Sequence, residues 1–126
     1  MSTPLILEES SLGVADVAAR YLPEQGGIEL QRDQPAKVHA WHSHAVHETL
    51  VVLDGSMVLE YVAAEGNERT ITSGEVGSGA RIELPAHTIH QSTAGEDGCI
   101  YFIIPEGGKA AVTTTYSDPM KATVEA

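Results

Sequence analysis

From Gly26 onward the chain is broken every eight to twelve residues or so by Gly, Pro, Asp or Asn, and the short segments between are rich in Val, Ile, Leu, Tyr and Thr. Turn residues at this rhythm belong to β-sandwiches and barrels. The pattern predicts strands near Ile28 to Arg32, Lys37 to Ser43, Glu48 to Leu53, Ser56 to Ala63, Glu68 to Thr72, Arg81 to Leu84, His90 to Thr93 and Cys99 to Ile104. Asp54-Gly55, between two apolar runs, predicts a tight hairpin, and Glu65-Gly66-Asn67 supplies another turn that tolerates positive φ. Hairpins imply antiparallel pairing, so the expected class is all-β. Gly13 to Leu22 reads either as a short helix, with Val14, Val17, Ala18 and Tyr21 at helical spacing before Pro23, or as an N-terminal strand or loop packed on the sheet.

The length of 126 residues suits one domain. The expected division is a single domain over 1–126, with a barrel core at about 26–106, an N-terminal segment 1–25 and a tail 107–126 that holds a further strand at Val112 to Tyr116. Seven basic against eighteen acidic residues give a net charge of −11, which repels a phosphate backbone or an anionic membrane and welcomes a cation. Nucleic acid and membrane are therefore not expected partners. The single cysteine, Cys99, fits a reducing compartment, and the first twenty residues carry neither a basic start nor a long apolar stretch, so a cytoplasmic location is expected.

All six histidines fall in two clusters, His39, His42, His44 and His47 in one and His87 and His90 in the other. On a strand, residues two apart share a face, so His42 and His44 can aim both imidazoles at one point. A turn near Ala45 to His47 would return the carboxylate of Glu48 to that point, and His90 on a later strand can close the set. Three imidazoles and a carboxylate suit one divalent transition ion, Fe, Mn, Ni, Cu or Zn, with positions left open for water or substrate. Metal binding outweighs the alternative of hydrogen-bonded core histidines, because so many polar groups are costly to bury unpaired.

The stretch His42-Ser43-His44-Ala45-Val46-His47-Glu48, followed by six residues and Gly55, resembles the first motif of the cupin family. Gly79, Pro85 and His90, each five residues or so from the next, resemble the second motif, whose histidine is the fourth ligand. The resemblance covers about half the chain and implies a double-stranded β-helix, or jelly-roll barrel, with His42, His44, Glu48 and His90 as metal ligands. Three positions depart from the pattern: Ala36 and His87 stand where the motifs have glycine, and Ala94 where the second ends in asparagine. His87 reads as an acid/base group near the pocket mouth or as an exposed turn residue. His47, beside Glu48, should point to the opposite face.

If His42 and His44 face inward, Val38 and Ala40 share their face while His39 and Trp41 look outward. Trp41 then lies under a second subunit, as the family's homodimers imply, or within a packed outer sheet. Met57, Leu59 and Tyr61 are expected to line the cavity, and a phenol could reach substrate from Tyr61 or Tyr101. Glu48, His87, Tyr61 and Tyr101 are thus the candidate catalytic residues. Such a wall favours a small organic substrate anchored mainly by the metal, since only Arg81 stands near the second motif to hold a phosphate. The resemblance implies a family of dioxygenases, isomerases, lyases, decarboxylases and cyclases. The expected function is a metal-dependent enzyme, dioxygenase-like first, with a redox-neutral isomerase, cyclase or lyase next. A non-catalytic small-molecule-binding module is the reading from another class.

Overall fold

A computed structural model describes residues 4–8 and 12–121. It contains β1 (Leu5–Glu8), α1 (Val14–Tyr21), β2 (Glu29–Asp33), β3 (Val38–His44), β4 (Glu48–Glu65), β5 (Glu68–Gly77), β6 (Ala80–Leu84), β7 (His90–Pro105) and β8 (Thr113–Thr115), with a 3-10 turn at Glu106–Gly108. Every pairing among the described strands is antiparallel.

Two long strands organise everything else. β4 and β7 pair along nearly their whole length, from Glu48 opposite Pro105 to Tyr61 opposite His90, and both bend midway. The bend comes from register shifts between Val52 and Asp54 and between Gly55 and Met57, so Asp54-Gly55 is a bulged corner inside one strand and not the hairpin that its turn residues predict. Gly55 has φ +79°, and a Cβ there would sit 2.1 Å from the carbonyl oxygen of Gly98, so no larger residue lets the two backbones cross this closely. On one side of the corner the sheet runs β1-β6-β4-β7-β2, and on the other β5-β4-β7-β3-β8. Strands that pass from one sheet to the other at a bend close a jelly roll, the all-β double-stranded β-helix expected from the sequence. The Glu65–Glu68 turn through Gly66 forms as predicted.

Strand alternation divides the apolar residues between two cores. Leu50 and Val52 of β4 point inward with Met57, Leu59, Val76, Ile82 and Leu84. Val51 of β4 and Phe102 of β7 point the other way, where Val17 of α1 covers them at 0% exposure. Burying such a side chain contributes about 1.5–3 kcal/mol. An eight-residue helix is too short to persist alone, so this contact stabilises α1, with Asp16 accepting the Gly13 N–H at its first turn. β1, which no sequence signal indicated, adds to the edge of β6. None of the described helices is long and apolar enough to cross a membrane.

Candidate metal centre

His90 opens β7 between β3 and β4, with His42 and Tyr61 as its cross-strand partners. His44 ends β3, and after a turn through Ala45 to His47 the chain re-enters the sheet at Glu48. One potential ligand atom from each of His42, His44 and His90 lies within 4.8 Å of the others, and Glu48 Oε1 is 3.4 Å from His44 Nε2. The rings of His42 and His90 are 4.3 Å apart between centroids.

Each ring is anchored through the same nitrogen. Nδ1 of His42 donates to the Ala40 carbonyl at 2.6 Å and Nδ1 of His90 to the Thr88 carbonyl at 2.8 Å, while Nδ1 of His44 meets the Thr113 hydroxyl at 3.0 Å. At His42 and His90 the carbonyl partner can only accept, which leaves Nε2 as the nitrogen with a lone pair to give. The Thr113 hydroxyl can accept from His44 in the same way, the arrangement by which outer contacts orient metal-binding imidazoles. Burial, reinforced by the neighbouring His42, pushes His44 down to about 4 and His90 to about 3, and burial lowers His42 as well. All three are then neutral at pH 7, the form that binds metal. Burial, with the nearby Glu29 carboxylate, pushes Glu48 up to about 7, against a smaller lowering by His47. A bound dication would reverse that penalty. Four groups otherwise strained by burial, with lone pairs converging, fit a divalent ion.

The site opens on a cavity of about 500 Å³ whose wall includes Leu50, Leu59, Tyr101 and Ile103. Met57 and Tyr61 share the buried face of Leu59 but pack in the core away from this wall, so the Tyr61 phenol does not reach the cavity. Tyr101 does line it, its hydroxyl donating to Asp33 at 2.9 Å. His87 sits in the turn before His90, half-buried and off the cavity wall, its N–H bonded to the His44 carbonyl. His47 lies on the other face of the sheet with Glu83, 2.6 Å away, and Arg81 is there too, 3.5 Å from Glu83.

The expected facing of β3 is corrected. Val38 is 47% exposed and Ala40 is exposed, whereas His39 lines the cavity with His42. A register shift between His39 and His42 resets the alternation, which simple counting by twos carries straight through. Trp41 is half-buried, and its carbonyl accepts the N–H of Tyr116. The same register shift hid His39 as a site residue, with only its proximity to the other histidines as a hint, and Asp33 comes to the site from a different strand, β2.

No family model and no curated protein matches the chain. Solved structures do. The 11S allergen of Cocos nucifera superimposes with a TM-score of 0.60 at 20% identity, over 70% of this chain and 24% of that one. The oxalate decarboxylase of Lactobacillus farciminis, in a formate complex, gives 0.62 at 12% identity over 89% of this chain and 30% of that one. Both are cupin-fold proteins. The chain has the cupin fold. Drosophila melanogaster CENP-C, in a structure with CAL1, gives 0.55 at 20% identity over 65% of this chain and 67% of that one. The chain spans about a quarter of the length of the 11S proteins it matches. The departures from the cupin motifs take on a meaning here. Ala36 (φ 64°) and His87 (φ 66°) are the two non-glycine residues at positive φ among those described, so the backbone keeps the conformation that glycine would adopt freely although the residue has changed.

Proposed function

We propose that this cupin-fold chain is a metal-dependent enzyme that acts on a small organic molecule, with dioxygenase-type chemistry. The observation that carries the reading is the convergence of three neutral, anchored imidazoles beside Glu48 on the wall of a cavity of about 500 Å³. His42, His44, Glu48 and His90 would hold one divalent transition ion, Fe, Mn, Ni, Cu or Zn. Such an ion supplies Lewis acidity and, if redox-active, a partner for dioxygen.

The chain's own residues do the rest. Ala40, Thr88 and Thr113 hold the rings in place, while Leu50, Leu59 and Ile103 keep the wall apolar. No Lys or Arg is among the described lining residues, so a sugar phosphate or polyanion finds no counter-charge. A compact, largely apolar substrate fits this wall.

A second reading, a redox-neutral isomerase, cyclase or lyase, is favoured by His39 on the same cavity wall, hydrogen-bonded to Asp33 behind it, a pair suited to moving protons and not electrons. Oxygen uptake by the metal-loaded chain with enolic, phenolic and thiol substrates separates the two. The first reading expects uptake that requires metal and is lost in His44→Ala. Rearranged product without uptake selects the second, and saturable binding without turnover shows a binding module.

A further inference from the structure

The cavity holds a second polar centre that metal binding leaves unused. Asp33, at the end of β2 and 5% exposed, accepts hydrogen bonds from Gln31 Nε2 at 2.8 Å and from the Tyr101 hydroxyl at 2.9 Å. His39 Nε2 lies 2.9 and 3.0 Å from its two oxygens. Gln31, His39 and Tyr101 line the cavity, while Asp33 is not on its wall and backs them. Burial works to raise the Asp33 carboxyl, but its contacts with Gln31, His39 and Tyr101 outweigh it and hold the group below its ordinary value.

An ionised carboxylate only accepts hydrogen bonds, so Nε2 of His39 must carry the proton, and the neutral ring has its lone pair at Nδ1. Among the described residues Nδ1 of His39 makes no hydrogen bond. An imidazole locked in one tautomer by a buried carboxylate, with the other nitrogen free on a cavity wall, has the construction of a general base. The surroundings choose its substrate. Glu29 and Asp33 from β2, Glu48 from β4, His90 and Tyr101 from β7 and His42 and His44 from its own strand are the titratable groups around it, with no Lys or Arg among the described lining residues. An incoming anion meets carboxylates, whereas a neutral acid enters without repulsion.

We propose that His39, positioned by Asp33, takes the proton from a neutral substrate bearing an acidic O–H, an enol or a phenol, held at the histidine triad. The proposal rests on the metal-enzyme reading. The O–H bond breaks with its electron pair left on oxygen, the proton goes to Nδ1, and the imidazolium pairs with Asp33 until it returns the proton to product. No electrons change hands in this step.

The test uses the full chain loaded with zinc, which is redox-silent, and 4-nitrocatechol, whose absorbance reports its ionisation, below the probe's own pKa. Calorimetry in buffers of different ionisation heat counts the protons released. The wild-type chain is expected to bind the ionised probe while releasing about one proton fewer than His39→Gln, because His39 keeps it. Asp33→Asn should lose that retention and Tyr101→Phe should keep it, with zinc content measured for each. Equal release from wild type and His39→Gln, both zinc-loaded, overturns the inference and leaves the metal reading standing; a chain that takes up no zinc overturns both. Should the variants not fold, ¹⁵N spectra of the zinc-loaded wild type decide: His39 is expected as the Nε2–H tautomer, gaining a proton at Nδ1 with the probe, and the Nδ1–H tautomer contradicts it.

Discussion

Two carboxylates are buried in this barrel to almost the same degree, Asp33 at 5% exposure and Glu48 at 8%, yet they are driven in opposite directions. Burial raises both. Asp33 has Gln31, His39 and Tyr101 around it and stays below its ordinary value; Glu48 has the Nε2 of a neutral His44 at 3.4 Å and rises to about 7. The first corner is complete as the chain folds. The second lacks positive charge, and the three lone pairs beside it can bind the cation that would supply it. Burial alone therefore does not mark a ligand; burial without donors, next to neutral imidazoles, does.

The largest expected effect comes from removing a lone pair at the incomplete corner. His44→Ala should weaken metal binding by more than about 100-fold, beyond what loss of an orienting contact costs, with circular dichroism unchanged. Full retention of metal would show that the ligands are misassigned.

The pH dependence of the metal-free chain sharpens the contrast. Glu48, at about 7 when folded against 4.5 ordinarily, favours the folded state only while protonated, so its effect is fully present below pH 4.5 and is lost as pH rises through 7, a change of about 3 kcal/mol at most. Denaturant titrations should show the wild-type chain losing stability relative to Glu48→Gln over that window, because the variant lacks this group. His44 and His90, lowered to about 4 and 3, act in the reverse sense: their effect is present above pH 6.5 and is lost as pH falls through those values. Saturating metal should accordingly stabilise the chain most at pH 7 and above.

At the complete corner, Asp33→Asn should cost about 1.5–3 kcal/mol at neutral pH and leave metal affinity unchanged, because it replaces a charged acceptor of several hydrogen bonds. Asp33 is held low, so its stabilisation is present above pH 3.8 and disappears as acid protonates it; the variant should lack that part of the acid sensitivity. A smaller effect is expected for Thr113→Val, which removes the contact to His44 Nδ1 and should weaken metal binding by roughly 10-fold with little change in stability. The smallest is His87→Gly, expected to stabilise by about 1 kcal/mol by relieving a positive φ without altering metal affinity.

How much of this was legible in the sequence follows from the range over which each signal acts. His42, His44 and Glu48 lie within seven residues on one strand and its continuation, so alternation and a turn suffice to bring them together. His90 reaches them through β7, whose placement beside β3 is a long-range pairing that local spacing does not specify, although the clustering of the histidines and the motif resemblance both pointed to it. His39 was hidden by a bulge, one extra residue decided by sheet curvature and not by composition, while Asp33 reaches the site from β2 through a long-range pairing with β7. Asp54-Gly55 misled for a related reason: its turn chemistry is real, but it serves a corner between the sheets in place of a chain reversal. α1 was undecided between helix and strand because its stability comes from packing Val17 on Val51 and Phe102, contacts its own residues do not specify.

The most direct measurement is the metal content of the chain after equilibrium dialysis against Mn, Fe, Ni and Zn salts at pH 7.5, compared with the His42, His44 and His90 alanine variants. One ion per wild-type chain, about, and a small fraction of that in each variant is the expected result. A wild-type chain that remains metal-free, or variants that fill equally, would contradict the assignment of these histidines as a metal centre.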